Sequence, residues 1–138
     1  MGMLGVAGRV ALTKTGTSGP DVTPNAVNWA DVTSGNQATT SMQQFTGINQ
    51  TITLSISWTA SGGGQFFYSK NTTNTYDTGT QVSLTSSPTS LTISNGDYLG
   101  FRLNWVSTDN DVRNVTVTNT SDGNATLDTF RLEAFFDI

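Results

Sequence analysis

The chemistry open to this chain is narrowed first by what it lacks: among 138 residues there is no His and no Cys. Nucleophilic catalysis of the Ser–His–Asp or Cys–His kind needs a base that titrates near neutrality, so that route is closed. Disulfides and thiolate metal sites go with it, and a metal hydrolase would lack its commonest ligand. Carboxylates remain. Two of them at suitable separation suffice for glycoside hydrolysis, and Asp97, Asp109, Asp111, Asp128 and Glu133 are the candidates. They fall mostly in turns and on a solvent face, where nothing raises a carboxyl pKa toward neutrality. The expectation is a chain that is not an enzyme and uses no cofactor. Asp109-Asn110-Asp111 gathers two carboxylates and an amide in one loop, hard oxygens of the sort Ca²⁺ prefers. The Gly and distal Glu of an EF-hand are missing, so the plainer reading is a solvated loop without a metal, in which Asp109 and Asp111 could contact a ligand.

Aromatic residues offer a second chemistry, stacking on a sugar. Trp29, Trp58 and Trp105, with Tyr68, Tyr76 and Tyr98, are the available rings. Trp58 and Trp105 each end an apolar stripe in phase with it, which places them in a core or at its rim. Tyr76 lies in a Thr/Asn-rich loop and Tyr98 on the face opposite a stripe. These two are the candidates for loop ligand contacts.

Charge removes further classes. The formal net charge is −4, and the six cations, Arg9, Lys14, Lys70, Arg102, Arg113 and Arg131, are scattered singly. A surface that tracks phosphates needs clustered cations, so neither nucleic acid nor an anionic membrane is an expected partner. No stretch approaches the ~20 apolar residues of a spanning helix. Residues 1–9 lack a basic n-region and are broken by Gly, so no signal peptide is expected. Gly2 would suit myristoylation, but Val6 stands where Ser or Thr is required.

The elements that must position these side chains are strands. Thr, Asn and Ser dominate, which favours pleated strands and tight turns. From Ala26 onward the apolar period is two. Val27 and Trp29 share one face of a short strand, and 39–45 reads as another. In 51–58, Ile52, Leu54, Ile56 and Trp58 alternate with Thr and Ser, the pattern of a half-buried antiparallel strand. Further strands are expected over 65–70, 81–85, 90–93, 97–106, 113–119 and 128–136. In the last, Phe130, Leu132, Ala134 and Phe136 should point inward and Phe135 outward. Asn95-Gly96 predicts a turn, and 121–124 a hairpin. No window shows a helical repeat.

The expected fold is all-β: an antiparallel β-sandwich, jelly-roll or Ig-like, of about eight or nine strands. Two regions are expected, an extended N-terminal arm over 1–25 and the sandwich over 26–138. The arm holds one Gly-weakened strand from Val6 to Lys14 and then two prolines. It reads either as a loose terminus or as a segment that orders against a neighbouring subunit.

The segments Phe45–Leu54, Phe67–Ser69 and Leu91–Leu103, with Val115–Asn119 and Leu127–Leu132 as a closing pair, resemble Ig-like β-sandwich repeats. Such repeats occur in structural proteins of tailed bacteriophages and in secreted bacterial surface proteins. The resemblance covers residues 39–136 and leaves 1–38 unmatched. A single copy with an unmatched arm looks like a small virion component. The resemblance implies a capsid decoration (cement) protein on the outside of the phage head, made in the host cytoplasm. It would bridge subunits of the major capsid protein, or other virion subunits, as a homo-oligomer, plausibly a trimer. On that reading the contacts fall to Val6, Arg9, Val10 and Leu12 of the arm and to Phe135 and Ile138 at the other end. The alternative is a tail-fibre, appendage or cell-surface module that recognises glycan or protein through the loops at 71–79 and 107–111.

Overall fold

The computed structural model describes residues 19–137. Val6, Arg9, Val10, Leu12 and Ile138 lie outside the described residues. In chain order the strands are β1 (Val32–Gly35), β2 (Gln37–Thr39), β3 (Gln43–Gln44), β4 (Ile52–Ser61), β5 (Gln65–Asn71), β6 (Gln81–Ser83), β7 (Thr89–Ile93), β8 (Tyr98–Asn104), β9 (Asp111–Asn119) and β10 (Ala125–Phe135), with one 3₁₀ turn at Thr78–Thr80.

They form two sheets, and the fold is a β-sandwich. One sheet runs β1-β10-β9-β4-β7, antiparallel except where β1 lies parallel to β10. The other runs β2-β8-β5-β6, with β3 also paired to β8. The chain changes sheet between β4 and β5, and again on entering β7, β8 and β9. The neighbours β4–β7 in one sheet and β5–β8 in the other match the B–E and C–F pairs of an Ig-like sandwich. The final hairpin then adds to the side of β4 away from β7.

The alternating strands are half-buried because each sheet presses one face inward. Ile52, Leu54 and Ile56 of β4, Leu99, Phe101 and Leu103 of β8, Val115 and Val117 of β9, and Phe130, Leu132 and Ala134 of β10 are all buried. Each of these side chains except Ala134, which is smaller, contributes roughly 1.5–3 kcal/mol. The turns follow the residues that permit them. Gly96 takes φ +97°, and the Asp97 carboxylate accepts the Ser94 N–H at 2.8 Å. Gly123 and Asn124, both near φ +60°, close the β9–β10 hairpin.

Two expected strands take another form. Val27 and Trp29 are buried as expected, but their segment joins no sheet. Side-chain oxygens replace strand partners: the Asn28 N–H donates to Gln43 at 2.9 Å and the Trp29 N–H to Asp128 at 2.7 Å. The expected strand at 39–45 splits into β2 and β3. At the break, the Thr40 hydroxyl accepts the Phe101 N–H at 3.0 Å, taking the place of a ladder carbonyl. The described strands therefore number ten rather than eight or nine.

Residues 19–25, grouped with the arm by composition, are bonded to the sandwich. The Asp21 N–H donates to Asn49 at 2.7 Å and the Asn25 N–H to the Thr46 carbonyl at 2.9 Å. The buried Asn119 amide reaches the Val22 carbonyl at 2.8 Å. This strap delivers Trp29 to the centre of the core. Its ring is fully buried, lies 5.4–6.0 Å from those of Phe45, Phe101 and Phe130, and donates Nε1–H to the Leu99 carbonyl at 2.8 Å. Trp58 and Trp105 pack at the rim of that core.

Candidate functional site

Asp111 opens β9 with its side chain turned inward and fully buried. Its carboxylate accepts the Val106 N–H at 2.9 Å and the Ser107 hydroxyl. Two residues on, and so on the same face, Arg113 is also buried. Its guanidinium donates to the carbonyls of Val112 at 2.9 Å and Gly64 at 2.6 Å. The pair thus ties the β4–β5 turn to the 105–110 loop. Gly62 is required there: it has φ +85°, and a Cβ would collide with the Asp111 carboxylate. Burial pushes the Asp111 carboxyl up, but hydrogen bonds from Ser107 and the Val106 N–H, with the nearby Arg113 charge, hold it below the usual carboxylate value. Burial pushes Arg113 down, partly offset by Asp111.

This corrects the expectation for the Asp109–Asp111 loop. Asp111 is buried rather than solvated, and its oxygens accept bonds from within the fold. Asn110 points the other way and donates to Glu133, which also pairs with Arg131 at 2.8 Å. The Asp109 carbonyl accepts the Trp105 indole N–H at 3.0 Å and lies 2.9 Å from Ser107 Oγ, whose single proton goes to Asp111 or to it. The loop's oxygens diverge, and among the described residues no group of three acidic side chains is placed to hold a metal ion.

The Asn110 amide, followed by Arg131, lowers the Glu133 pKa as well. For both acids the folded value lies below the unfolded one. Their stabilising contribution is therefore complete above the unfolded pKa and lost as pH falls through the folded value. Urea midpoints should stay level down to about pH 5 and drop below about pH 4.

Tyr76 is also a brace rather than a free contact. Arg102 lies over its ring, 4.1 Å from the centroid, and its hydroxyl donates to Gln81 at 2.9 Å. Burial pushes its pKa up to about 12, with Arg102 pulling in the other direction. An ultraviolet pH titration should show one tyrosine ionising near that value, and Tyr76→Phe should remove that transition. Loss of the single hydrogen bond should cost about 0.5–1.5 kcal/mol. The surrounding loop is stitched internally: Asn71 accepts the Thr73 N–H at 2.8 Å and donates to the Thr75 carbonyl at 3.0 Å, while Asp77 caps Gly79 at 2.8 Å. Tyr98 is half-buried, with Gln44 beside it on one side and Asn71 on the other.

The apolar surface lies at the end of β10, one residue from where the alternation puts it. Phe135 is half-buried, and its carbonyl accepts the Asn36 N–H at 2.6 Å. The strand stops there. Asn36, at φ +61°, clasps the backbone of Asp137 from both sides, at 2.9 and 3.3 Å. Phe136 is thereby released from the inward stripe and is 58% exposed. Its ring packs on Trp105 at 5.1 Å, and the next residue, Val106, is 52% exposed. Trp105, Val106 and Phe136 form the candidate site. The residues at 105–106 were legible only as the end of a strand, since nothing local marks them as surface.

No family model matches the chain, and no curated protein matches it. Two solved structures are similar to parts of it at low identity. The N-terminal domain of PorA is 15% identical with a TM-score of 0.40, covering 83% of this chain and 90% of that one. The ASH/PapD-like domain 7 of human CEP192 is 12% identical with a TM-score of 0.31, covering 92% and 94%.

Proposed function

We propose that this chain is a non-catalytic virion structural protein, a decoration subunit that stabilises a phage head by bridging its capsid proteins. The observation that carries this reading is the exposed apolar group Trp105, Val106 and Phe136. A large ring and a branched aliphatic side chain left open to water mark a protein-contact surface. The residues with catalytic potential support it from the other side, since Asp111, Glu133 and Tyr76 are engaged in bracing the sandwich. The sequence resemblance of residues 39–136 to phage structural repeats supplies the setting. The mechanism is linkage: a subunit that binds only the assembled lattice opposes its opening.

The test is cosedimentation with expanded and unexpanded heads of the phage concerned, counting bound copies. Saturable binding to expanded heads, with a fixed number of copies per capsomer, is the expected result. Failure to bind either form rejects the proposal. Self-association belongs to the same reading, and mass photometry should show a trimer that Phe136→Ser weakens.

A further inference from the structure

The rings of Trp105 and Phe136 come from separate strands, and both strands end against the same residue. β8 stops at Asn104 and β10 at Phe135, each one residue short of the ring that follows it. Asn36 lies between those ends. There the chain leaves β1, where Gly35 pairs with Phe135, and enters β2, where Gln37 pairs with Asn104. The backbone and side-chain groups of Asn36 are all committed to this junction. Its N–H donates to the Phe135 carbonyl at 2.6 Å, and its carbonyl accepts the Trp105 N–H at 2.7 Å. Its Nδ2 donates to the Asp137 carbonyl at 2.9 Å, and its Oδ1 accepts the Asp137 N–H at 3.3 Å. Phe136 is thus held through both of its neighbours, and Trp105 is fixed to the same residue.

The residue type fits this position. Asn36 has φ +61°, the left-handed region that Asn enters more readily than most other side chains. Gly would take the same backbone without strain, but it has no amide to reach Asp137. Gly35 completes the junction, since a Cβ there would collide with the Asp137 side chain. The outcome is a pair of rings 5.1 Å apart, set in one arrangement before any partner arrives. Side chains ordered in advance lose less freedom on binding. We propose that Asn36 is the positioning residue of the contact surface, locking Phe136 against Trp105 in the arrangement that a partner protein meets. The partner is that of the assembly reading, on which this inference rests, whereas the ring arrangement is a property of the free chain.

The test compares the wild type with Asn36→Gly and Asn124→Gly. Asn124 has the same φ of +61° at the other end of β10, so it controls for the backbone effect of the substitution. Nuclear Overhauser contacts between the Trp105 indole and the Phe136 ring are read on the free protein. The Kd for expanded phage heads is read by cosedimentation, at a temperature where all three proteins are folded. Asn36→Gly should lose the ring contacts and bind about threefold to tenfold more weakly. Asn124→Gly should match the wild type in both. A residue that only supported the fold would lower the urea midpoint and leave both readouts unchanged. The proposal is overturned if Asn36→Gly keeps the ring contacts, or if it loses them and binds as tightly as the wild type. An equal loss in Asn124→Gly also overturns it. Heads that bind no wild-type protein reject the assembly reading instead, and the ring contacts alone then decide the positioning role.

Discussion

Trp29→Ala should lower the free energy of unfolding by about 3–5 kcal/mol, the largest loss from any single ring in this chain. The ring is fully enclosed by Phe45, Phe101 and Phe130, and its indole N–H satisfies the Leu99 carbonyl. Removing it leaves a cavity between the two sheets and takes a buried donor from that carbonyl. A domain of this size has only about 5–15 kcal/mol in total, so the variant should unfold at a much lower urea concentration. Trp29→Phe restores most of the packing but not the donor, and should cost about 1–3 kcal/mol. Trp105→Ala, at the rim, should cost less than Trp29→Ala. Equal losses at the two positions would mean that the strap does not seat Trp29 where the structure places it.

Asp111→Ala should cost a comparable amount, about 3–5 kcal/mol, because it leaves Arg113 buried without its countercharge. It also removes the acceptor for the Val106 N–H and frees the 105–110 loop. The double variant Asp111→Ala/Arg113→Met should recover part of that loss, since an apolar pair needs no compensation. A carboxylate kept for ligand contact would behave differently. Its removal would change unfolding by less than about 0.5 kcal/mol, the range of ordinary surface substitutions.

These two residues also show how far the sequence could be read. The strands that make the core were legible because Ile52–Ile56, Leu99–Leu103 and Phe130–Ala134 alternate strictly, and only one face of a sheet can be buried. Trp29 was legible as apolar and in phase with Val27. The support of its segment by side chains far along the chain, Gln43 for the Asn28 N–H and Asp128 for its own N–H, 15 and 99 residues away, has no local signature. Asp111 was placed in a turn-forming string, where its neighbours Asp109 and Asn110 do lie exposed. Its own burial depends on Gly62 arriving from the β4–β5 turn, which spacing along the chain does not encode, and on Arg113 sharing its face of β9. Phe136 was assigned to the wrong face for a related reason. The period of two holds only while β10 keeps its partner, and Asn36 ends that pairing at Phe135.

The surface that Phe136 then presents can be tested directly by the temperature at which purified phage heads open, followed by release of their contents. Wild-type protein should raise that temperature in proportion to the copies bound, as expected when a ligand binds only the closed lattice. Phe136→Ser, folded and as stable as the wild type in urea, should bind fewer copies and raise it less. Heads stabilised equally by the two proteins would contradict the assignment of Trp105, Val106 and Phe136 as the working surface.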